Sequence, residues 1–100
     1  MVRVTSLTMT VPETVDAKEL ESEIVTAQVD RLRDDHGYGA GGSETRNEHP
    51  LHPAGSIVVD RELGALRVKL HSVKVDAHDL FTGVSSELEQ RHEGLRVEIG

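Results

Sequence analysis

The same helix-start pattern occurs twice in this chain, and it restricts the fold more than any other sequence feature. Residues 15–20 read VDAKEL and residues 75–80 read VDAHDL. In each copy an aspartate, Asp16 or Asp76, stands where an N-cap side chain accepts hydrogen bonds from the free amides of the first helical turn. An acid follows three residues later, and a valine before the cap and a leucine after it can pack over that turn. Two helices therefore begin at equivalent points of two halves of the chain.

Apolar residues that alternate with polar ones predict the strands, and apolar residues at helical spacing extend the two helices. We expect strands at residues 2–11, 56–60, 65–75 and 95–99, and helices at 16–36 and 76–92. Gly37 is well placed to end the first helix. The apolar face of the third strand changes at His71 and Ser72, which indicates a bulge or a strong bend. Gly83 costs the second helix about 1 kcal/mol relative to alanine, which favours close packing there.

The element order β-α-β-β-α-β predicts an α+β fold in a single domain, residues 1–100. It resembles the ferredoxin-like, split-βαβ arrangement, in which two helices cover one face of a four-stranded antiparallel sheet. This resemblance is topological and covers the whole chain, and it implies that the first and third strands are neighbours at the centre of the sheet. Because many unrelated activities share this fold, it implies no particular function.

Residues 37–55, GYGAGGSETRNEHPLHPAG, show no periodicity. Such a stretch predicts a long flexible loop that becomes ordered against a partner. We expect Tyr38, Arg46, His49 and His52 to make its contacts, since arginine and tyrosine are favoured at interfaces. Limited proteolysis should then cut first at Arg46.

The glycines of this stretch match the spacing G-x-G-x-x-G of dinucleotide-binding loops at Gly37, Gly39 and Gly42. That motif requires a strand before it and a helix after it, so that amides converge on a pyrophosphate. Here it follows a helix and leads into GSETRNEHP, which does not begin one. The sequence favours a mobile loop over a nucleotide site.

The first helix carries a second apolar stripe, formed by Val25, Val29 and Leu32, well round the helix from the one assigned to the core. Either the core face is wide enough to include it, or it contacts another subunit or partner. Val2, Val4 and Val58 are predicted on the sheet face without helices. Together these residues indicate self-association or a stable protein partner.

Composition argues against several classes of protein. The net charge is −7, with 18 acids and 11 bases, which disfavours direct binding to nucleic acid. The predicted strands lack the aromatic residues on which RNA bases stack, and the chain has no cysteine for thiolate chemistry. No apolar run is long enough for a membrane span, so we expect a cytoplasmic protein or a virion component.

Candidate sites for chemistry are weak. His49 and His52, joined by His36 and Glu48, are the best metal-site candidates, although a glycine-rich loop without cysteine is a poor scaffold for zinc. The acids at 19, 21 and 23 and at 34 and 35 are interpreted as solvated surface, and the acids around His78 as helix caps. We therefore expect no catalytic, cofactor or metal site.

The sequence thus favours a non-enzymatic structural or adaptor protein. An example of such a protein is a subunit of a symmetric assembly such as the neck or tail of a viral particle. Two alternatives stay open. One is an acidic inhibitor that mimics nucleic acid and blocks a basic partner. The other is a small metal- or ligand-binding enzyme that uses His36, His49 and His52.

Overall fold

The computed structural model describes residues 5–42 and 47–100, in which two helices pack against a six-stranded sheet. The helices are α1 (Ala17–His36) and α2 (Ala77–Arg91). The strands are β1 (Ser6–Thr10), β2 (Gly39–Ala40), β3 (Glu48–His52), β4 (Ser56–Glu62), β5 (Ala65–His71) and β6 (Arg96–Ile99).

The strands lie in the order β2-β3-β4-β5-β1-β6, and every neighbouring pair is antiparallel. Strand β1 lies between β5 and β6, which confirms that the first and third predicted strands are adjacent. The predicted four-stranded sheet is wrong, because the segment predicted as a loop contributes β2 and β3. Sequence periodicity missed β3, whose five residues include Pro50 and two histidines.

Pro50 is tolerated in β3 because of the direction in which its backbone points. Its carbonyl accepts a hydrogen bond from the Gly41 amide at 2.9 Å, just beyond the end of β2. The nitrogen of a strand residue points to the same side as its carbonyl. The amide hydrogen that proline lacks would therefore lie on the β2 side, so no hydrogen bond to β4 is lost.

Both helices begin at the predicted aspartates. Asp16 Oδ1 accepts from the Lys18 amide at 2.9 Å, and Asp76 Oδ1 accepts from the Asp79 amide at 3.3 Å. Helix α1 ends at Gly37, whose φ of 75° is in the left-handed region and whose amide donates to the Arg33 carbonyl. The capping chemistry is thus sufficient to fix three of the four helix ends.

The predicted strand at 65–75 ends early, at His71. Ser72 follows with a φ of 57°, which confirms a sharp bend at the predicted place. Gly55 lies against this bend, since a Cβ at Gly55 would be only 2.7 Å from the Ser72 carbonyl oxygen. The bend turns the chain off the sheet and towards α2.

One hydrophobic core lies between the sheet and the helices. The sheet contributes alternate residues of its strands, and the helices contribute their inward stripes. Its fully buried members include Leu7, Met9, Leu20, Ile24, Ile57, Val59, Val68, Phe81, Val84 and Leu88. The opposite face of the sheet is polar.

Candidate functional site

The one buried carboxylate of the described chain is that of Glu21 on α1. The Glu21 side chain is only 5% exposed. His49 Nε2 lies 3.1 Å from Glu21 Oε2, and Arg61 Nε donates to Glu21 Oε1 at 2.6 Å. We call these three residues the Glu21 cluster.

The sheet register explains why the three side chains meet. His49 of β3 is opposite Ile57, and Arg61 of β4 is opposite Leu66, so both lie on the helix-covered face. Successive strand residues alternate between faces, and these two have the same parity as the core residues beside them. Glu21 lies above them on α1, next to the core residue Leu20.

The Glu21 cluster fastens α1 to two strands. A carboxylate that accepts from a guanidinium and an imidazole forms charge-assisted hydrogen bonds, which are stronger than neutral ones. Each of the two carboxylate oxygens has a partner within the fold. This geometry holds α1 in place on β3 and β4.

The sequence interpretation of the acids on α1 was wrong for Glu21 and incomplete for Glu23. Glu19 is exposed, as predicted. Glu23 Oε2 lies 2.9 Å from His92 Nε2 beyond the end of α2, which joins the C-terminal end of that helix to α1. The signal for Glu21 was its position, because it lies on one helical stripe with Val25 and Leu32.

That stripe is mainly part of the core. Leu32 is fully buried, so it has no surface to offer a partner, and its prediction as an interface residue is corrected. Val25 and Val29 are half-buried and pack against the core. The sheet extends under this side of α1, which contacts β2. The two unpredicted strands therefore account for the wide core face.

Of the four residues of segment 37–55 that were predicted to contact a partner, the three that the structure describes do not lie together. The Tyr38 hydroxyl accepts from the Lys74 amide at 3.3 Å, and His49 belongs to the Glu21 cluster. His52 is exposed at the end of β3, and Arg46 lies outside the described residues. Two of the four residues thus make contacts within the chain.

The structure does not bring the candidate metal ligands together. His49 and His52 have opposite parity in β3 and lie on opposite faces of the sheet, while His36 is at the end of α1. Within residues 5–42 and 47–100, no three histidine or acidic side chains are grouped so that they could hold a metal ion. Of the glycines in the G-x-G-x-x-G match, Gly39 lies in β2, with Gly37 before it and Gly42 after it, and the next described element is β3.

The helix-free face of the sheet is covered by paired charges. Lys69 lies 3.6 Å from Asp60, which also accepts from Asn47 Nδ2 at 2.8 Å. Val58 is half-buried and lies between Glu48 and Lys69 in the sheet register. Val2 and Val4 are outside the described residues. An apolar patch on this face is therefore not present in the part that the structure describes.

A shallow groove between the two helices is strongly acidic. It is lined by Ala27, Asp30, Arg31, Asp34, Asp35 and Glu87. Arg31 crosses the groove, and its Nη2 donates to the Gly83 carbonyl at 3.2 Å. A Cβ on Gly83 would lie 2.6 Å from Arg31 Nη1, so the predicted close packing at this glycine is confirmed.

Comparisons with protein-family models, with curated proteins and with solved structures give no match to this chain. Neither α1 nor α2 is long and apolar enough to cross a membrane. The fold and the positions of the side chains are therefore the only structural support for a function.

Proposed function

We propose that this protein is a non-enzymatic structural or adaptor protein that acts through protein–protein contacts. The observation that carries the proposal is the flank of α1 formed by Val25 and Val29. These two side chains lie one helical turn apart and are only partly buried, although the neighbouring Leu32 is fully buried. Adjacent apolar side chains that keep part of their surface accessible can be covered by a second protein.

The proposal includes an arrangement of the sheet. Strands β4, β5, β1 and β6, with the two helices, have the order expected of the ferredoxin-like arrangement. In this proposal β2 and β3 are an extension of that unit on the β4 side. The extension ends in β2, a two-residue edge strand in contact with α1, so the flank of α1 and this edge form one continuous surface.

The roles of the polar side chains support a binding protein over an enzyme. Glu21, His49 and Arg61 bind one another, and Glu23 binds His92. These carboxylate–imidazole pairs each join two elements of the fold, which is sufficient to explain them. A symmetric assembly of several copies, in the cytoplasm or in a particle such as a viral neck or tail, is the form of the proposal that the sequence favours.

Native mass spectrometry of the protein purified from its own source tests the proposal, because stoichiometry, partners and bound metal are recorded together. We expect a complex with a partner of fixed stoichiometry. Val29→Glu should remove the partner, because a charge cannot be buried unpaired in an apolar contact. Thr26→Glu, at an exposed position of the same helix, is the matched control.

Circular dichroism must show that both variants remain folded. A lone chain without partner or metal would refute the adaptor function. Zinc in fixed stoichiometry that is lost in His49→Ala and in His52→Ala would support the metal enzyme instead.

The acidic groove favours one alternative, an inhibitor that occupies a basic nucleic-acid site. Asp30, Asp34 and Asp35 line it together with Glu87, and so place several acids on one face of the molecule. This alternative expects binding to a basic protein that falls steeply as salt is added. Changing Asp34 and Asp35 to asparagine should then weaken binding, whereas Val29→Glu should leave it unchanged.

A further inference from the structure

Strand β6 is the outermost strand on the β1 side of the sheet. Ser6 and Gly100 exchange both backbone hydrogen bonds, at 2.9 and 3.0 Å. Hydrogen-bonded and non-hydrogen-bonded residue pairs alternate along two antiparallel strands. Glu98 and Arg96, which are two and four residues before Gly100, therefore also point their backbone groups at β1. The amide and carbonyl of Val97 and of Ile99 therefore point away from β1, towards the outer edge of the sheet.

This edge has no lysine and no proline, two of the residues that commonly prevent edge strands from pairing. Residues 95–99 read LRVEI, without lysine, proline or glycine. Among the described residues β6 pairs with β1 alone. A groove beside the edge is lined by Val97, Ile99 and four polar residues of α2: Thr82, Ser85, Ser86 and Glu89.

The sequence of β6 is complementary to itself in the antiparallel direction. With a two-fold axis at Val97, Arg96 of one copy is opposite Glu98 of the other. The two valines at position 97 are opposite each other. Opposite charges and branched apolar side chains directly across an antiparallel pair are both favourable.

The backbone pattern is consistent with the same axis. Two Val97 residues that face each other with outward amides and carbonyls form a hydrogen-bonded pair. An axis at Arg96 or at Glu98 is also compatible with the backbone pattern, but it places two like charges directly opposite each other. Charge pairing thus selects the axis at Val97.

The side chains of α2 allow this approach. Val97 is opposite Met9 and Ile99 is opposite Leu7 in the sheet, so both lie on the helix-covered face beside α2. Ser85 and Ser86 are small, so the α2 helices of two copies can come close above the joined strands. Val97 and Ile99, which are only partly buried in the single chain, become covered.

From these observations we propose that β6 pairs with β6 of a second copy of this chain, antiparallel about Val97, to give one sheet through both copies. This surface is at the end of the sheet opposite to β2, so the dimer is independent of a partner on the flank of α1. A contact of one short strand pair and one helix pair buries no more than the lower range of specific interfaces, roughly 1,200 Å². We therefore expect a reversible dimer with a dissociation constant of micromolar order.

Sedimentation of the purified 100-residue chain over a wide concentration series tests the dimer. Arg96→Glu places like charges across the two-fold axis and should weaken the dimer by about tenfold or more. Combining Arg96→Glu with Glu98→Arg restores the complementary pattern and should restore the dimer. Arg67→Glu makes the same charge change on the same sheet face in β5 and should leave the dimer unchanged.

Two further variants test the register. Val97→Pro removes an outward amide that β1 does not use and should abolish the dimer while the monomer stays folded. Since the chain has no cysteine, Val97→Cys should form a disulfide-linked dimer on mild oxidation, whereas the exposed Thr14→Cys should not.

Three results would overturn the proposal. The first is a wild type that is monomeric at every concentration. The second is an equal loss of dimer in the single and the charge-swapped variants. The third is dissociation of the dimer by Val29→Glu with no effect of Arg96→Glu, which would assign self-association to α1. Loss of an external partner in Val29→Glu tests the adaptor function separately.

Discussion

His49 Nε2 and Glu21 Oε2 lie 3.1 Å apart although 28 residues separate them in the sequence. This contact, with that from Arg61, fastens the first helix to the two strands β3 and β4. His49 was predicted from the sequence to contact a partner, but it instead helps to hold the fold together.

Glu21→Ala should lower the free energy of unfolding by about 1–3 kcal/mol, because it leaves partly buried donors on His49 and Arg61 without this acceptor. Urea unfolding followed by circular dichroism measures the change. Glu19→Ala, on the exposed side of the same helix, should cost much less. Equal losses in the two variants would show that the Glu21 cluster contributes nothing to stability.

Gln28→Met should raise the free energy of unfolding by about 1 kcal/mol. Gln28 is fully buried, and neither its amide nitrogen nor its amide oxygen has a hydrogen-bond partner among the described residues. Methionine has a similar unbranched shape and leaves no polar group buried. The exposed Gln90→Met is the control, and a lower melting temperature for Gln28→Met alone would contradict the expected gain.

Gly83→Ala should fail to stabilise the wild-type protein, although alanine is the better helix former by about 1 kcal/mol. The added Cβ would meet the Arg31 guanidinium, which must leave its hydrogen bond to the Gly83 carbonyl. In an Arg31→Ala background the same change should be stabilising. A double-mutant cycle of thermal unfolding checks this, and identical effects of Gly83→Ala in both backgrounds would exclude the coupling.

Asp16→Ala and Asp76→Ala should each cost about 1 kcal/mol, because each removes the acceptor that caps a helix. Asn at either position retains the acceptor and should cost much less. Chemical denaturation of the four variants provides the comparison. If alanine and asparagine were equally destabilising, the aspartates would act through charge on the helix dipole and not through the cap.

The features predicted correctly from the sequence are those determined by neighbouring residues. Asp16, Asp76 and Gly37 mark helix ends because their partners are backbone groups within the same turn. Positive φ at Ser72 likewise follows from a local change of apolar face. The adjacency of β1 and β5 could be predicted because the crossover rules leave few arrangements of four strands.

Features that depend on distant residues were not predictable. Strand β3 includes Pro50, and the pairing that makes it a strand is with β4. Glu21 lies on one helical stripe with Val25 and Leu32, but the partners that a buried carboxylate needs come from residues 28 and 40 positions later in the sequence. The burial of Leu32 likewise depends on β2 and β3, which the sequence did not predict.

The strand order also has a consequence for the kinetics of folding. Strands β3, β4 and β5 are consecutive in the sequence and pair as a meander. The loops between them are short, so closing them costs little conformational entropy. Strand β1 instead needs partners from the middle and from the far end of the chain. Pairings between distant residues form slowly because long loops must close first. We therefore expect the meander to form early and β1, with the longest-range pairings in the sheet, to be inserted between β5 and β6 near the end of folding.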